Sequence, residues 1–182
     1  MSDSSQIIVD VEASEADAAK LGQRILQHLI AEKIVEAAES DSILGDTPGH
    51  RPGPGAAAVV TGSMKMPMRL ATNGLAVHVG RQVFHTGGNG VELSCGACRA
   101  TFDPGGAYFD AVTAWHNGDE NVTFACPACK HSARLTAWDG PFAFGFGALG
   151  LELWNWPPLK PQFVSSIAQL LGHRVVLVHC HL

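Results

Sequence analysis

Four of the five cysteines in this chain form two Cys-x-x-Cys pairs, and they are the residues whose spacing most strongly indicates chemistry. Cys95 and Cys98 enclose Gly-Ala, and Cys126 and Cys129 enclose Pro-Ala. Two intervening residues let one tight turn present both sulfurs. Two such turns supply the four ligands that a tetrahedral zinc ion prefers. The spacing therefore predicts that Cys95, Cys98, Cys126 and Cys129 are metal ligands.

The two pairs are separated by 27 residues, and an extended stretch enters each of them. This pattern resembles a zinc ribbon, a general class of small β-rich modules, over about residues 91–139. The turn that ends in Lys130 is close to the usual form, whereas Arg99 follows the first pair where a small residue is common. The resemblance implies bound Zn²⁺ and a local fold. It does not imply a function, because zinc ribbons serve many ends.

Three other interpretations of the cysteines remain: buried free thiols, four ligands of an iron–sulfur cluster, or a redox dithiol at either pair. If zinc is bound, four sulfurs close its coordination shell and leave no position for an activated water. We therefore expect a structural Zn²⁺ ion. It would help to fold a module that is too small to depend on its own core.

The histidines indicate no specific chemistry from their spacing. His50, His78 and His85 fall near the presumed cleft between sheet and module, and the sequence assigns them no role. A polar pocket joining His78 or His85 to a carboxylate would favour an enzyme. The terminal His179-Cys180-His181 looks like a metal clip, but strand alternation sends Cys180 to the opposite face from both histidines.

Hydrophobic periodicity predicts a strand at residues 6–11, then a helix from the Ser14 cap to about residue 38. Residues 45–70 are predicted to be a long Gly/Pro-rich loop. Within it, Met64, Met66 and Met68 alternate; we interpret them as packing residues rather than copper(I) ligands.

The remaining elements are predicted from alternation and turn residues. They are short strands at 75–79 and 82–85 around a turn at Gly80-Arg81, a short helix at 106–116, an alternating stretch from 142 to 153 with a bulge or turn at Gly147-Ala148, a helix from Pro161 to about 171 closed by Gly172, and a last strand at 174–178.

Together these elements predict an α+β fold: a ferredoxin-like β-α-β/β-α-β body with an inserted zinc ribbon. Residues 1–86 and 140–182 would form the body, and residues 91–139 the insertion. The last strand is apolar on both faces although it should be an edge, so the long loop or a second copy of the chain is expected to cover it.

Composition restricts the function classes. The 182 residues are 46% hydrophobic and 16% charged, which suits a folded domain. No apolar run is long enough for a transmembrane helix, and the polar N-terminus lacks a basic region before an apolar one. Paired cysteines without such a leader favour metal binding in a reducing compartment, so the cytoplasm is the expected location.

Charge argues against a nucleic-acid partner. The net charge is −5, and residues 91–139 hold six acidic and three basic side chains, whereas phosphate binding requires a basic face. No nucleophile–base motif is present, and the expected closed metal site argues against catalysis. The sequence thus favours a non-enzymatic zinc protein that acts on another protein, as an adaptor, regulator or inhibitor of the toxin-neutralising (immunity) type. A nucleic-acid binder and an enzyme are the alternatives, and a homo-oligomer is compatible with all three.

Overall fold

A computed structural model describes residues 3–45, 47–62, 66–87 and 90–182. The fold is α+β, with three helices and one main antiparallel sheet, as the sequence predicts. The helices are α1 (Glu15–Ala31), α2 (Gly105–His116) and α3 (Pro161–Leu171). The strands are β1 (Ser4–Asp10), β2 (Val35–Ser40), β3 (Gly49–Pro52), β4 (Leu75–Phe84), β5 (Leu93–Ser94), β6 (Thr101–Phe102), β7 (Thr123–Ala125), β8 (Ser132–Arg134), β9 (Gly145–Trp154) and β10 (Val175–His181).

Six of these strands form the main sheet in the order β10-β1-β9-β4-β3-β2, and every pair is antiparallel. Helices α1 and α3 pack their apolar stripes, including Ile25, Leu29 and Ile167, on one face of this sheet. Burial of these side chains is the main stabilising term, at about 1.5–3 kcal/mol each. The helical stripe read from the sequence is therefore the main core of the protein.

Helix α1 is shorter than its apolar pattern predicts. It ends at Ala31 rather than near residue 38, and β2 follows at Val35. Lys33 adopts the left-handed conformation at φ 57°. The Ile34 N–H then bonds to Leu29 O and the Lys33 N–H to Ile30 O, which is a Schellman termination. The sequence did not predict this helix end, because Lys33 stands where a glycine is usual.

The predicted long loop at residues 45–70 contains regular structure. It includes β3 and a short 3₁₀ helix at Ala56–Ala58. Its glycines permit close backbone approach: a Cβ on Gly53 would lie 2.4 Å from Lys33 O. Met66 packs against the main core and Met68 is exposed, while Met64 lies outside the described residues.

Residues 75–84 form one strand, not two short strands around a turn. The register between β4 and β9 shifts between Val79 and Gln82, and Gly80 has a φ of 115°. This is a β-bulge, which bends a strand and redirects a side chain. The side chain redirected here is that of Arg81.

The predicted switch in side-chain parity lies at Gly147-Ala148. A Cβ on Gly147 would lie 3.0 Å from Val9 Cγ1, and a Cβ on Gly150 would lie 2.5 Å from the Phe84 ring of the same apolar cluster. Strand β9 runs without interruption from Gly145 to Trp154, and all ten residues are buried. Ala148 and Leu149, although adjacent, both belong to the main core, whereas Phe146 joins a second apolar cluster. The strand therefore continues through a local break in alternation and does not turn.

Candidate metal centre

The four predicted cysteines lie on two hairpins outside the main sheet. The first hairpin pairs β5 with β6, and the second pairs β7 with β8. Each hairpin carries one Cys-x-x-Cys turn between its strands. The hairpins therefore present the cysteines from two separate tight turns.

The two turns have the same backbone pattern. The Cys95 N–H bonds to Ala100 O at 2.9 Å, and the Cys126 N–H bonds to His131 O at 2.8 Å. The return bonds run from the N–H of Arg99 and of Lys130 to the carbonyl of the first cysteine in each turn.

Arg99 and Lys130 also share a backbone conformation, with φ of 62° and 63°. A non-glycine residue in this left-handed region costs about 1–2 kcal/mol. Because the same cost appears at the same position in both turns, a shared requirement of the four-sulfur site accounts for it.

The four Sγ atoms all lie within 4.8 Å of one another. Across the two turns, Cys95 Sγ is 3.7 Å from Cys129 Sγ, and Cys98 Sγ is 3.8 Å from Cys126 Sγ. These separations exceed a disulfide bond of about 2.05 Å. They match the edge of a tetrahedron with metal–sulfur bonds of about 2.3 Å, which is about 3.8 Å.

Burial is matched across the turns as well. Cys95 and Cys126, the first cysteine of each pair, are buried, whereas Cys98 and Cys129 are exposed. The site thus lies at the surface of the module, with two sulfurs anchored in its core. His116 and His131 are both exposed, and neither belongs to the sulfur cluster.

The thiols of Cys95 and Cys129 differ in proton affinity. The backbone N–H of Cys98 lowers the pKa of the Cys95 thiol to about 6, against an opposing effect of burial. The N–H of His131 lowers the pKa of Cys129, but burial and the neighbouring thiols outweigh it and raise that pKa to about 12. The Cys95 thiolate forms readily, whereas a nearby cation would favour loss of the proton from Cys129.

Behind the cysteines lies a largely aromatic core. Tyr108 and Trp115 on α2 pack with Phe124, Trp138 and Phe146, and several ring pairs meet edge to face. Because Phe146 belongs to β9, this cluster attaches the residues that carry the cysteines to the main sheet.

Arg81 makes the second attachment, and sequence reasoning missed it. Its Nη2 donates to Trp115 O at 2.7 Å, its Nη1 donates to Glu120 Oε1, and its guanidinium lies 4.1 Å from the Trp115 ring centre. The signal in the sequence was an arginine beside a glycine inside an apolar strand, which is typical of a bulge.

A cleft of about 530 Å³ lies between the sheet and the metal-bearing residues. Its aromatic lining is Trp115, Trp138, Phe144 and Phe146, and its charged lining is Glu12, Glu15, Arg81, Glu120, Asp139 and Arg174. Glu120 is paired with Arg81, and Glu12 with Arg174. Within the described ranges, Glu15 and Asp139 form no salt bridge, so the cleft keeps two free carboxylates.

The three histidines singled out from the sequence do not line this cleft. His78 Nε2 lies 2.7 Å from Glu152 Oε2, and Glu152 Oε1 accepts a hydrogen bond from Ser5 at 2.6 Å. His50 instead faces a backbone carbonyl, Glu36 O, at 3.0 Å, and His85 is exposed. The sequence signal for the Glu152 pair was a lone carboxylate in an apolar strand.

The terminal His179-Cys180-His181 is not a metal clip. Cys180 is buried and both histidines are exposed, as strand alternation predicts. Burial, followed by the charge of Glu152, raises the pKa of the Cys180 thiol. Among the described residues, the only cluster of three or more His, Cys, Asp or Glu side chains with metal-binding geometry is that of the four paired cysteines.

Comparisons of the chain with protein families, with curated proteins and with solved structures found no match. No helix in the described ranges is both long and apolar enough to cross a membrane. The site has therefore to be interpreted from its own chemistry.

Proposed function

We propose that this is a non-enzymatic zinc protein that acts by binding another protein. A structural Zn²⁺ on Cys95, Cys98, Cys126 and Cys129 would hold one wall of the cleft in place. The tetrahedral arrangement of four sulfurs carries the proposal, because it leaves no open coordination position for catalysis. The metal would stabilise the module, and the cleft would provide the function.

The sulfur spacing supports a single ion. In an iron–sulfur cluster several iron and sulfide atoms lie between the cysteine sulfurs, which sets them farther apart than one shared metal does. Cross-turn distances of 3.7 Å and 3.8 Å suit one metal atom. Among the metals that bind tetrahedral thiolate sites, zinc has no redox chemistry, which suits a structural role.

Metal analysis of protein purified from its own cells tests this assignment. We expect one zinc per chain, and replacement by Co²⁺ should give the visible absorption of a tetrahedral thiolate site. Equimolar iron with acid-labile sulfide would overturn the zinc assignment. A metal-free protein that stays fully folded would overturn the structural role.

The cleft favours a partner segment with basic and aromatic or aliphatic side chains. Phe144 is half-buried at the cleft and provides apolar contact, while the edges of the largely buried Trp115, Trp138 and Phe146 add to it. Glu15 and Asp139, which form no salt bridge among the described residues, favour a cation.

Two double variants, each of which replaces two carboxylates by amides, test the cleft. We expect capture from native cells, followed by native mass spectrometry, to give a stoichiometric complex with the unmodified protein. The double variant Glu15→Gln/Asp139→Asn should weaken that complex about tenfold, or 1.4 kcal/mol. The control Glu36→Gln/Glu39→Gln makes the same charge change on exposed β2 and should bind normally. Absence of any stoichiometric partner, or equal binding by both variants, would refute the proposal.

An enzyme is the second candidate, and one observation favours it. The His78–Glu152 pair is the carboxylate–histidine contact expected of an oriented base. However, neither residue lines the 530 Å³ cleft. Loss of a measured activity in His78→Gln, with normal folding and metal content, would support an enzyme.

Nucleic-acid binding has less support. Four thiolates and one Zn²⁺ would add about two negative charges to a module that is already acidic. A salt-dependent gel shift would support nucleic-acid binding.

The ferredoxin-like interpretation belongs to the same proposal. Taken alone, β1, β4, β9 and β10 follow the chain path and sheet order expected of that topology, with β2 and β3 as an addition. Residues 91–139 would then be an inserted zinc ribbon between the second and third of these strands. A reducing compartment, most simply the cytoplasm, would suit the free thiols.

A further inference from the structure

Strand β10 forms one edge of the main sheet and has no neighbour on its outer side within the described part of the chain. Its ladder with β1 is flanked by two bonds, from the Val11 N–H to Arg174 O and from the Leu182 N–H to Asp3 O. Since antiparallel bonding alternates, the even-numbered residues of β10 direct their backbone groups to β1. Val175, Leu177 and His179 therefore direct theirs outward.

The outward groups stop being available at His181. Its N–H is 3.4 Å from Thr86 O, and it bridges Gly87 in the segment that follows β4. The free part of the edge thus extends from Val175 to His179.

The two edges of this sheet differ. At the opposite edge, β2 carries exposed Glu36 and Glu39 and has an irregular register with β3. Charges and bulges of this kind prevent edge pairing. The free part of β10 has a regular register with β1 and carries no Lys, Pro or acidic residue.

Both faces of this edge are apolar. Val175 and Leu177 pack partly against the core under the helices, while Val176 and Val178 belong to the cluster on the other face. Charge also permits association here: the net charge of the chain is −5, but residues 173–182 contain an arginine and no acidic side chain. Two copies would repel each other less at this edge than at β2.

We propose that β10 pairs with β10 of a second copy of this chain, antiparallel and with the two-fold axis at Leu177. In this register Leu177 opposes its own counterpart and Val175 opposes His179 of the second copy, so all three outward residues are hydrogen-bonded. Val176 opposes Val178 on the other face, a favourable β-branched pair. If the register between the two copies shifted by two residues, one of the three outward residues would lose its partner or would lie opposite His181, whose outward groups are not available.

A charge-swap experiment tests both the dimer and its register. Leu177→Lys and Leu177→Glu each place two like charges at the axis, so each variant alone should lose the dimer mass in native mass spectrometry. Mixed, they should form a one-to-one heterodimer, because the introduced ammonium of one copy then faces the introduced carboxylate of the other. The control Leu44→Lys, at an exposed position outside β10, should remain dimeric.

Hydrogen exchange of the unmodified protein provides a measurement that needs no variant. The amides of Val175, Leu177 and His179 should lose protection on dilution, whereas that of Val178, bonded to β1, should keep it. A monomeric wild-type protein at all concentrations, dimers of both single variants, or no heterodimer on mixing would overturn the proposal. None of these results bears on the cleft or the metal, so this test is independent of the proposed function.

Discussion

At the scale of single residues, polar groups in apolar surroundings distinguish the metal-bearing module. Tyr108 is buried in the aromatic core behind the cysteines, and its hydroxyl has no hydrogen-bond partner among the residues that the structure describes. Burial raises its pKa from 10.0 to about 12. The folded module therefore stabilises the neutral Tyr108 hydroxyl relative to the tyrosinate.

This pKa predicts an alkaline weakness. Below pH 10 the side chain is neutral in both the folded and the unfolded chain. Between pH 10 and 12 only the unfolded chain ionises, so the free energy of unfolding should fall as pH rises. Tyr108 is the only tyrosine, and tyrosinate absorbance should show its midpoint near pH 12. The variant Tyr108→Phe should lose this component of alkaline unfolding; a midpoint at pH 10 would contradict the prediction.

At the scale of elements, helix ends and turns accept strained backbone. Lys33 ends α1 at φ 57°, and Arg99 and Lys130 hold the cysteine turns in the same conformation. In the turns the strain accompanies the cluster of four cysteines that could hold a metal ion. At the end of α1 it accompanies only the change of direction from α1 into β2.

Lys33→Gly should therefore stabilise the protein. Glycine adopts this conformation freely, and the Lys33 side chain is exposed. We expect the free energy of unfolding to rise by about 1 kcal/mol in urea denaturation. The matched control Lys20→Gly, at an exposed position inside α1, should lower it by about 1 kcal/mol. A decrease for Lys33→Gly would show that the left-handed turn is not strained.

At the scale of the whole molecule, two cores share one sheet. The helices cover one face, and the aromatic core behind the cysteines contacts the sheet through Phe146. The metal-bearing residues depend on four sulfurs and one small core, whereas the sheet also holds the larger core. The two parts should therefore differ in stability.

Cys126→Ser should expose this difference. We expect loss of the bound metal and faster hydrogen exchange in residues 91–139, while β1, β9 and α1 remain protected. Cys180→Ser changes a buried cysteine outside the cluster and should keep the metal. Hydrogen exchange with metal analysis checks both variants, and unfolding of the whole chain by Cys126→Ser would contradict an independent module.

Several features were determined by sequence neighbours alone. The two cysteine turns, the start of α1, the course of α2, and α3 with its Gly172 cap follow from spacing, capping and periodicity over a few residues. Such signals are local, because the groups that satisfy one another lie within one or two turns of the chain. That explains why the sequence could single out the four cysteines that cluster, but not the residues that pack around them.

Only the tertiary structure decided the rest. Strands β2 and β3, the bulge before Arg81, the His78–Glu152 pair and the cleft depend on which distant backbones meet. The apolar pattern of β9 and its parity switch were visible in the sequence, but the cores that its residues join were not. Strand pairing and burial are long-range, so a single sequence predicts these elements less well than it predicts the cysteine turns.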